Sequence, residues 1–456
     1  MLSKEIVQNQ REYFKNQHTI SYDFRNNALS KLKKAILKYE GELTDALYND
    51  LGKNQAESFF AETGQVLKEL TYIQKRLKRL MKNKKVKSSI IDFPSKSFIS
   101  PYPYGVTLII SPWNYPVMLS LGPLIGAIAA GNTVIIKPSE FSVNTSKVLE
   151  KMISSTFEDN YIKVINGAVK ETQELLNQKL DYIFFTGSSN IGKIVMEKAS
   201  KHLTPISLEL GGKSPVIVSE CANIKVAAKR IVFGKLLNSG QTCIAPNHVY
   251  IHESVKKEFI GYLKESIEEF FGDNPIDSKD YGKIINEKHY NRLINLLDGE
   301  TIIYGGNKND KLQKISPTIL DDVTHNSKVM QEEIFGPILP LITYNELNEV
   351  ITYINSNPTP LSLYLFTENN DVVKRILNEC NFGGGCINDT IVHVASNYLP
   401  FGGVGESGIG SYHGKASFDT FTHYRSIIHK STKLDIKIRY APYTESKEKI
   451  IRKILK

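Results

Sequence analysis

The sequence predicts an α/β protein built around two parallel-sheet domains. Three observations carry that expectation. From about residue 98, short apolar strands alternate with amphipathic helices. A second alternating series begins near residue 213. The four cysteines, Cys221, Cys243, Cys380 and Cys386, show no CxxC spacing and are too few to brace 456 residues with disulfides. A hydrophobic core must therefore hold the chain together, and its length suffices for two or three domains.

Taken in order, residues 1 to about 80 carry helical spacing, as in Leu29, Leu32, Ile36 and Tyr39, then Val66, Leu67, Leu70 and Ile73. Residues 106–111, 133–137, 161–165 and 181–186 read as strands with helices between them, the pattern of a parallel sheet with right-handed crossovers. Residues 205–210 form a further strand, with Ile206, Leu208 and Leu210 on one face and Glu209 on the other. The second series comprises strand 215–218, a helix ending at 238, strand 247–252, helix 255–271, strand 338–344, a helix to 355 and strand 361–366. The nearly uncharged run 117–131 is too short to span a bilayer and reads as a buried segment.

The N-terminus lacks the apolar core of a signal peptide, and unpaired cysteines suit a reducing compartment, so a cytoplasmic setting is expected. The formal charge of +9 comes partly from residues 75–87 and 447–456. These read as solvated faces. With no zinc knuckle, RNA-recognition consensus or basic region leading into heptads, no nucleic-acid partner is expected.

Several stretches carry chemistry. Gly240-Gln241-Thr242-Cys243 follows a helix and precedes a strand, which puts Cys243 on a connection between packed elements. It is either a small buried hydrophobe or a nucleophile. Glu209, a carboxylate in an apolar strand, is either one half of an ion pair or a general base whose pKa burial has raised. Asn114, bracketed by Pro112 and Pro116, is a turn filler or an oriented amide donor. Lys137-Pro138-Ser139-Glu140 ends a strand, where ligands of open α/β sheets lie. Gly187-Ser188 occupies a strand-to-helix turn suited to a phosphate. Ile194 replaces the hydroxyl that a P-loop needs. The GxGxxG match at 403–408 lacks strand–turn–helix context and is set aside. No HExxH, GxSxG or clustered His/Cys set occurs, so neither a metal nor a serine nucleophile is expected.

Taken together, Pro112-Trp113-Asn114, Lys137-Pro138-Ser139-Glu140, Phe185-Thr186-Gly187-Ser188, Leu208-Glu209-Leu210-Gly211-Gly212-Lys213, Gly240-Gln241-Thr242-Cys243, Glu332-Glu333-Ile334-Phe335-Gly336-Pro337 and Pro400-Phe401-Gly402-Gly403 resemble the aldehyde dehydrogenase family, in the family's order. The short N-terminal region and Ser411-Tyr412-His413-Gly414 resemble its class 3 branch, which is dimeric and oxidises medium- to long-chain aliphatic and aromatic aldehydes. The resemblance implies a Rossmann-variant NAD(P)-binding domain over 1–81 and 102–211, and a catalytic domain over 212–420. It further implies an oligomerisation hairpin and tail over 82–101 and 421–456. Cys243 is then the nucleophile, Asn114 the oxyanion donor and Glu209 the base. Lys137, Glu140, Gly187, Ser188, Glu333 and Phe335 hold NAD, with NADP tolerated. Tyr115, Phe401 and residues 391–394 line the aldehyde's path. A homodimer is implied. The basic amphipathic tail, with Ile450, Ile451, Ile454 and Leu455 among lysines and an arginine, is read as dimer packing in preference to membrane-surface contact. The alternatives are a CoA-acylating aldehyde dehydrogenase and a non-enzymatic basic scaffold.

Overall fold

The computed structural model describes residues 3–455. It opens on helices Ser3–Lys15 and Tyr22–Leu51. The second buries Leu29, Leu32, Ile36, Leu43 and Leu47 along one stripe. Ser21 caps its first turn by accepting from the Phe24 N–H, and Gly52 at φ 70° ends it in the left-handed conformation that glycine tolerates. The chain continues through Gln55–Ser58, a π-helical turn at Phe59–Thr63 and helix Gly64–Leu80.

Strands β1 (Lys84–Val86) and β2 (Ser95–Pro103) make a hairpin. Then β3 (Val106–Ile110), β4 (Thr133–Lys137), β5 (Ile162–Val164), β6 (Tyr182–Thr186) and β7 (Ile206–Glu209) alternate with helices Pro116–Ala130, Val143–Ser154, Val169–Leu176 and Ser189–Ser200. The second series follows as β8 (Pro215–Val218), β9 (His248–His252), β10 (Thr301–Tyr304), β11 (Lys308–Asn309), β12 (Lys314–Ile315), β13 (Thr318–Asp321), β14 (Ile338–Tyr344), β15 (Ser362–Phe366) and β16 (Gly384–Ile387). Its main helices are Ile224–Leu236, Lys256–Phe271, Leu347–Ser356 and Asn370–Glu379. The chain closes with β17 (Gly408–Ile409), β18 (Thr422–Lys430) and helix Glu445–Leu455.

Three main sheets result. One has the order β17-β7-β6-β3-β4-β5, parallel except for β17. A second has the order β10-β13-β14-β9-β8-β15-β16, parallel except for β10. The third is antiparallel, β1-β2-β18. Central strands such as β3, β4 and β6 are buried along their whole length, which is why they read as continuous apolar runs. The helix Pro116–Ala130 is buried almost throughout, and no helix among the described residues is long and apolar enough to cross a membrane.

Several expectations shift. The helix expected to run to 238 stops at Leu236, because Asn238 and Ser239 take φ of 53° and 51°. β10 to β13 lie in a stretch without periodicity, since strands of two to four residues are too short to show one. Residues 408–409 join the first sheet instead of the second, pairing with Glu209 and Leu208. The stretch matching GxGxxG is a short 3₁₀ turn followed by β17, as its lack of strand–turn–helix context predicts.

Candidate active site

The carboxyl ends of β3, β6 and β7 converge on the loop after helix Ile224–Leu236. That loop is held in an unusual shape. Asn238 and Ser239 occupy left-handed backbone, and Gly240 follows at φ 75°. A Cβ on Gly240 would collide with the Gly336 carbonyl, so only glycine fits. Gln241 fastens the turn: its Nε2 donates to the carbonyls of Asn238 and Lys283, each at 3.0 Å, and its Oε1 accepts from the Ile285 N–H. Thr242 Oγ1 lies 2.7 Å from the Tyr115 hydroxyl. Cys243 is thereby presented at the junction of two cavities and lines both.

The first cavity, about 190 Å³, is apolar. Its walls include Tyr115, Met118, Leu119, Phe233, Ile391, Val394, Phe401 and Tyr412. The second, about 440 Å³, has mixed walls and carries most of the polar groups. It is lined by Trp113, Asn114, Thr186, Gly187, Ser188, Glu209, Gly211, Arg292, Glu333 and Phe335. Sheet-end residues thus meet the cysteine from one side and an apolar channel meets it from the other.

Glu209 is 2% exposed at the end of β7, and neither carboxylate oxygen has a hydrogen-bond partner. No ion pair involves it among the described residues, so the ion-pair alternative fails. Burial alone pushes its pKa well above the usual carboxylate range. The Cys243 thiol is pushed up to about 12, first by burial, then by Glu333 and Glu209, against its own and Ile244's backbone N–H groups. Asn114 is an oriented group: its Nδ2 donates to the Gln241 carbonyl at 3.0 Å, and its own carbonyl accepts from Lys53 Nζ and Asn238 Nδ2.

Glu333 is raised to about 7 by burial, opposed by the Gly212 backbone, Arg292 and Lys235. The Glu333 carboxylate packs against Gly211, where a Cβ would push it aside. Phe335, at φ 49°, meets Trp113 edge-on at 5.4 Å. Gly187 and Ser188 form the turn from β6 into helix Ser189–Ser200. Ser188 makes no side-chain cap, and Thr186 Oγ1 is buried without a partner. Lys137 and Glu140 stand apart from the lining of either cavity. Lys137 is buried at the end of β4, donating to the Pro138 carbonyl at 2.7 Å, while Glu140 is exposed beside it. Burial lowers the Lys137 pKa, and Glu140 and Glu171 oppose that.

The second cavity fits a dinucleotide by its own features: an uncapped helix N-terminus for a pyrophosphate, an orphaned buried hydroxyl beside it, and a buried carboxylate near the cysteine. No cluster of metal-ligating side chains exists among the described residues.

Sequence reasoning did not single out Lys53, Glu62, Asn238, Lys235 or Arg292. Lys235 left a signal, since it falls four residues after Ile231 on the buried stripe of its helix. It is buried, and its pKa is lowered to about 7 by burial with Glu333 opposing. Lys53 and Glu62 left none, because their meaning depends on a residue more than fifty positions away.

A family model described as the aldehyde dehydrogenase family matches residues 3–427. The chain is 52% identical over 446 residues to 4,4'-diaponeurosporen-aldehyde dehydrogenase of Staphylococcus aureus, covering 97% of both. It is 42% identical over 440 residues to an aldehyde dehydrogenase of Canis lupus familiaris described as dimeric and NADP-preferring, covering 96% of this chain and 97% of that one. A solved structure of the substrate-bound state of Staphylococcus aureus AldH superposes with a TM-score of 0.98 at 51% identity, covering 99% of each chain.

Proposed function

This chain belongs to the aldehyde dehydrogenase family and oxidises aldehydes with NAD(P), and from that premise we propose which of its residues do the work. The observation that carries the reading is Cys243 lying between an apolar channel and a cleft that holds an unpaired buried carboxylate.

The aldehyde enters along the apolar channel, past Tyr115 and Phe401. Cys243 Sγ, its proton passed to water in the cleft, attacks the carbonyl carbon, and the C=O electron pair moves onto oxygen. The Asn114 Nδ2–H left over from the Gln241 bond and the Cys243 backbone N–H stabilise that oxyanion; one such donor is typically worth about 3 kcal/mol. The nicotinamide, when bound, supplies the two-electron acceptor for the carbon-bound hydrogen. The resulting Cys243 thioester is opened by water. Glu209 takes the water's proton, the tetrahedral centre collapses, and the carboxylic acid leaves as Cys243 Sγ is released. A base beside the thioester favours water over CoA as acyl acceptor.

Gly187, Ser188 and the N-terminus of helix Ser189–Ser200 would hold the pyrophosphate, Glu333 and Phe335 the nicotinamide end, and Lys137 with Glu140 the adenine ribose. Glu140 disfavours a 2′-phosphate by like charge, so NAD is preferred and NADP used less well. Channel composition selects medium- to long-chain aliphatic or aromatic aldehydes. The protein acts in the cytoplasm as a homodimer, with the exposed Tyr424, Ile427 and Ile428 of β18 buried against a second copy. The proposed division is a cofactor region over 1–81 and 102–211, a catalytic region over 212–420 and an oligomerisation region over 82–101 and 421–456, with β17 pairing onto the cofactor sheet.

The test is NADH formation over a panel of aldehydes, with CoA present and absent. CoA-independent acid formation is expected. Strict dependence on CoA, or no NADH from any aldehyde by a folded protein, would overturn the proposal.

A further inference from the structure

Behind Asn114 lies an ion pair that solvent does not reach. Lys53 Nζ meets Glu62 Oε1 at 2.6 Å, and both side chains are 0% exposed. Such a pair contributes little net stability, because desolvating two charges offsets most of their attraction. What this pair does is hold one short stretch of chain. The ammonium donates to the Asn114 carbonyl at 2.9 Å and sits 3.9 Å from the centre of the Tyr115 ring. The second Glu62 oxygen accepts from the Val117 and Met118 N–H groups at 3.1 and 2.8 Å. Helix Pro116–Ala130 has no side-chain cap of its own, so Glu62 caps it from elsewhere in the chain. Residues 114–118 are thus fastened at three places by one ion pair.

The pair's own placement is built in. Lys53 follows the left-handed Gly52 that ends a thirty-residue helix, and Glu62 lies on the π-helical turn Phe59–Thr63. Such turns are frequent at functional sites. A second anchor runs in parallel: Asn238 Nδ2 donates to the Asn114 carbonyl at 2.8 Å, and the Asn238 N–H is held by Glu57 Oε1 at 2.8 Å.

We propose that Lys53 is a positioning residue for oxyanion stabilisation: with Glu62 it locks the Asn114 carbonyl, and so fixes where the Asn114 side-chain amide points relative to Cys243. This rests on the reading of Asn114 as the oxyanion donor. Lys53 touches no substrate. A donor displaced by a fraction of an ångström loses most of its worth in the transition state while substrate binding is unaffected.

The experiment measures the pre-steady-state NADH burst with hexanal, alongside KM, NAD affinity and the rate of Cys243 alkylation by iodoacetamide. The variants are Lys53→Met, Lys53→Arg, Lys53→Met/Glu62→Gln, Asn114→Ala and Lys53→Met combined with Asn114→Ala. The Lys53→Met/Glu62→Gln double variant removes the Lys53 and Glu62 charges together while buried Glu57 keeps its bond from the Asn238 N–H, and its glutamine offers an oxygen to Val117 and Met118, so it remains readable if Lys53→Met alone fails to fold. Lys53→Met and the double variant should slow the burst about ten- to hundredfold, with KM, NAD affinity and alkylation within about twofold of the parent. Lys53→Arg should recover most of the loss. Adding Lys53→Met to Asn114→Ala should slow it less than about threefold further, because the group being positioned is gone. A burst within twofold of the parent in the folded double variant overturns the proposal, as does full multiplication of the two losses. An undiminished burst in Asn114→Ala overturns the reading of Asn114 instead.

Discussion

Burial governs both reacting groups: the Cys243 thiol is pushed up to about 12, and Glu209 lies well above the usual carboxylate range. Burial makes each group a stronger base once ionised, and the Cys243 thiolate is scarce near neutrality. Two outcomes follow from the proposed roles. In Glu209→Gln the thiol survives and the hydrolytic base does not. That variant should release about one NADH per site in a burst and then turn over 10²–10⁴-fold more slowly, with acyl mass retained on Cys243. Mass spectrometry of quenched enzyme checks this, and Cys243→Ala should show neither burst nor adduct. The second outcome concerns pH. Protonated Glu209 cannot accept a proton, so kcat should fall as pH drops below its raised pKa. The acidic limb of the profile should therefore stand above the usual carboxylate range, and Glu209→Gln should lack it. A parent profile flat from pH 5 to 9 would remove Glu209 from the rate-limiting step.

Among the elements, helix Pro116–Ala130 has two duties. Its first turns carry Met118 and Leu119 on the channel wall, and its far half packs against the short helix Lys415–Thr420. At Gly126 a Cβ would stand 2.6 Å from the Ser417 carbonyl. Overpacking there should outweigh the gain of about 1 kcal/mol in helix propensity, so Gly126→Ala should destabilise by about 1–3 kcal/mol net. Urea denaturation measures it. The channel assembled by this helix, the π-helical turn and the loop through Phe401 makes a kinetic prediction. Each buried methylene is worth about 0.8 kcal/mol, so KM should fall from acetaldehyde through butanal to hexanal. In Phe401→Ala that slope should flatten. Acetaldehyde giving the highest kcat/KM would exclude an apolar channel as the basis of selection.

Across the whole molecule, β18 ties the tail to the hairpin through nine aligned residue pairs, from Thr422 with Pro103 to Lys430 with Ser95. It remains an edge strand, with Ile427 and Ile428 exposed. Long exposed apolar edges are a liability in a lone chain and ordinary at an interface. Ile428 is 54% exposed, so Ile428→Lys should leave the unfolding of the isolated chain within about 0.5 kcal/mol. It should nonetheless shift the mass seen by light scattering from two chains toward one. A parent that is monomeric at all concentrations, or a variant that stays dimeric, would exclude this surface.

The two alternating series, the helical N-terminal region and the stretches around Cys243, Glu209 and Gly187 are legible in the chain alone. Periodicities of two and 3.6 residues, glycine at turns and a carboxylate inside an apolar strand are all local properties. The third dimension decided what those residues meet. Whether Glu209 was paired depended on which cations the fold brought to β7, and among the described residues it brought none. That Asn114 is oriented depended on Lys53, sixty-one residues earlier, and on Asn238, 124 residues later. Glu69, on the channel wall, bonds Ser417 across 348 residues, and β17 returns to a sheet whose other strands end at Glu209. Local sequence biases backbone conformation, which sets the elements; buried polar groups take partners from wherever packing brings them, and separation along the chain carries no trace of that.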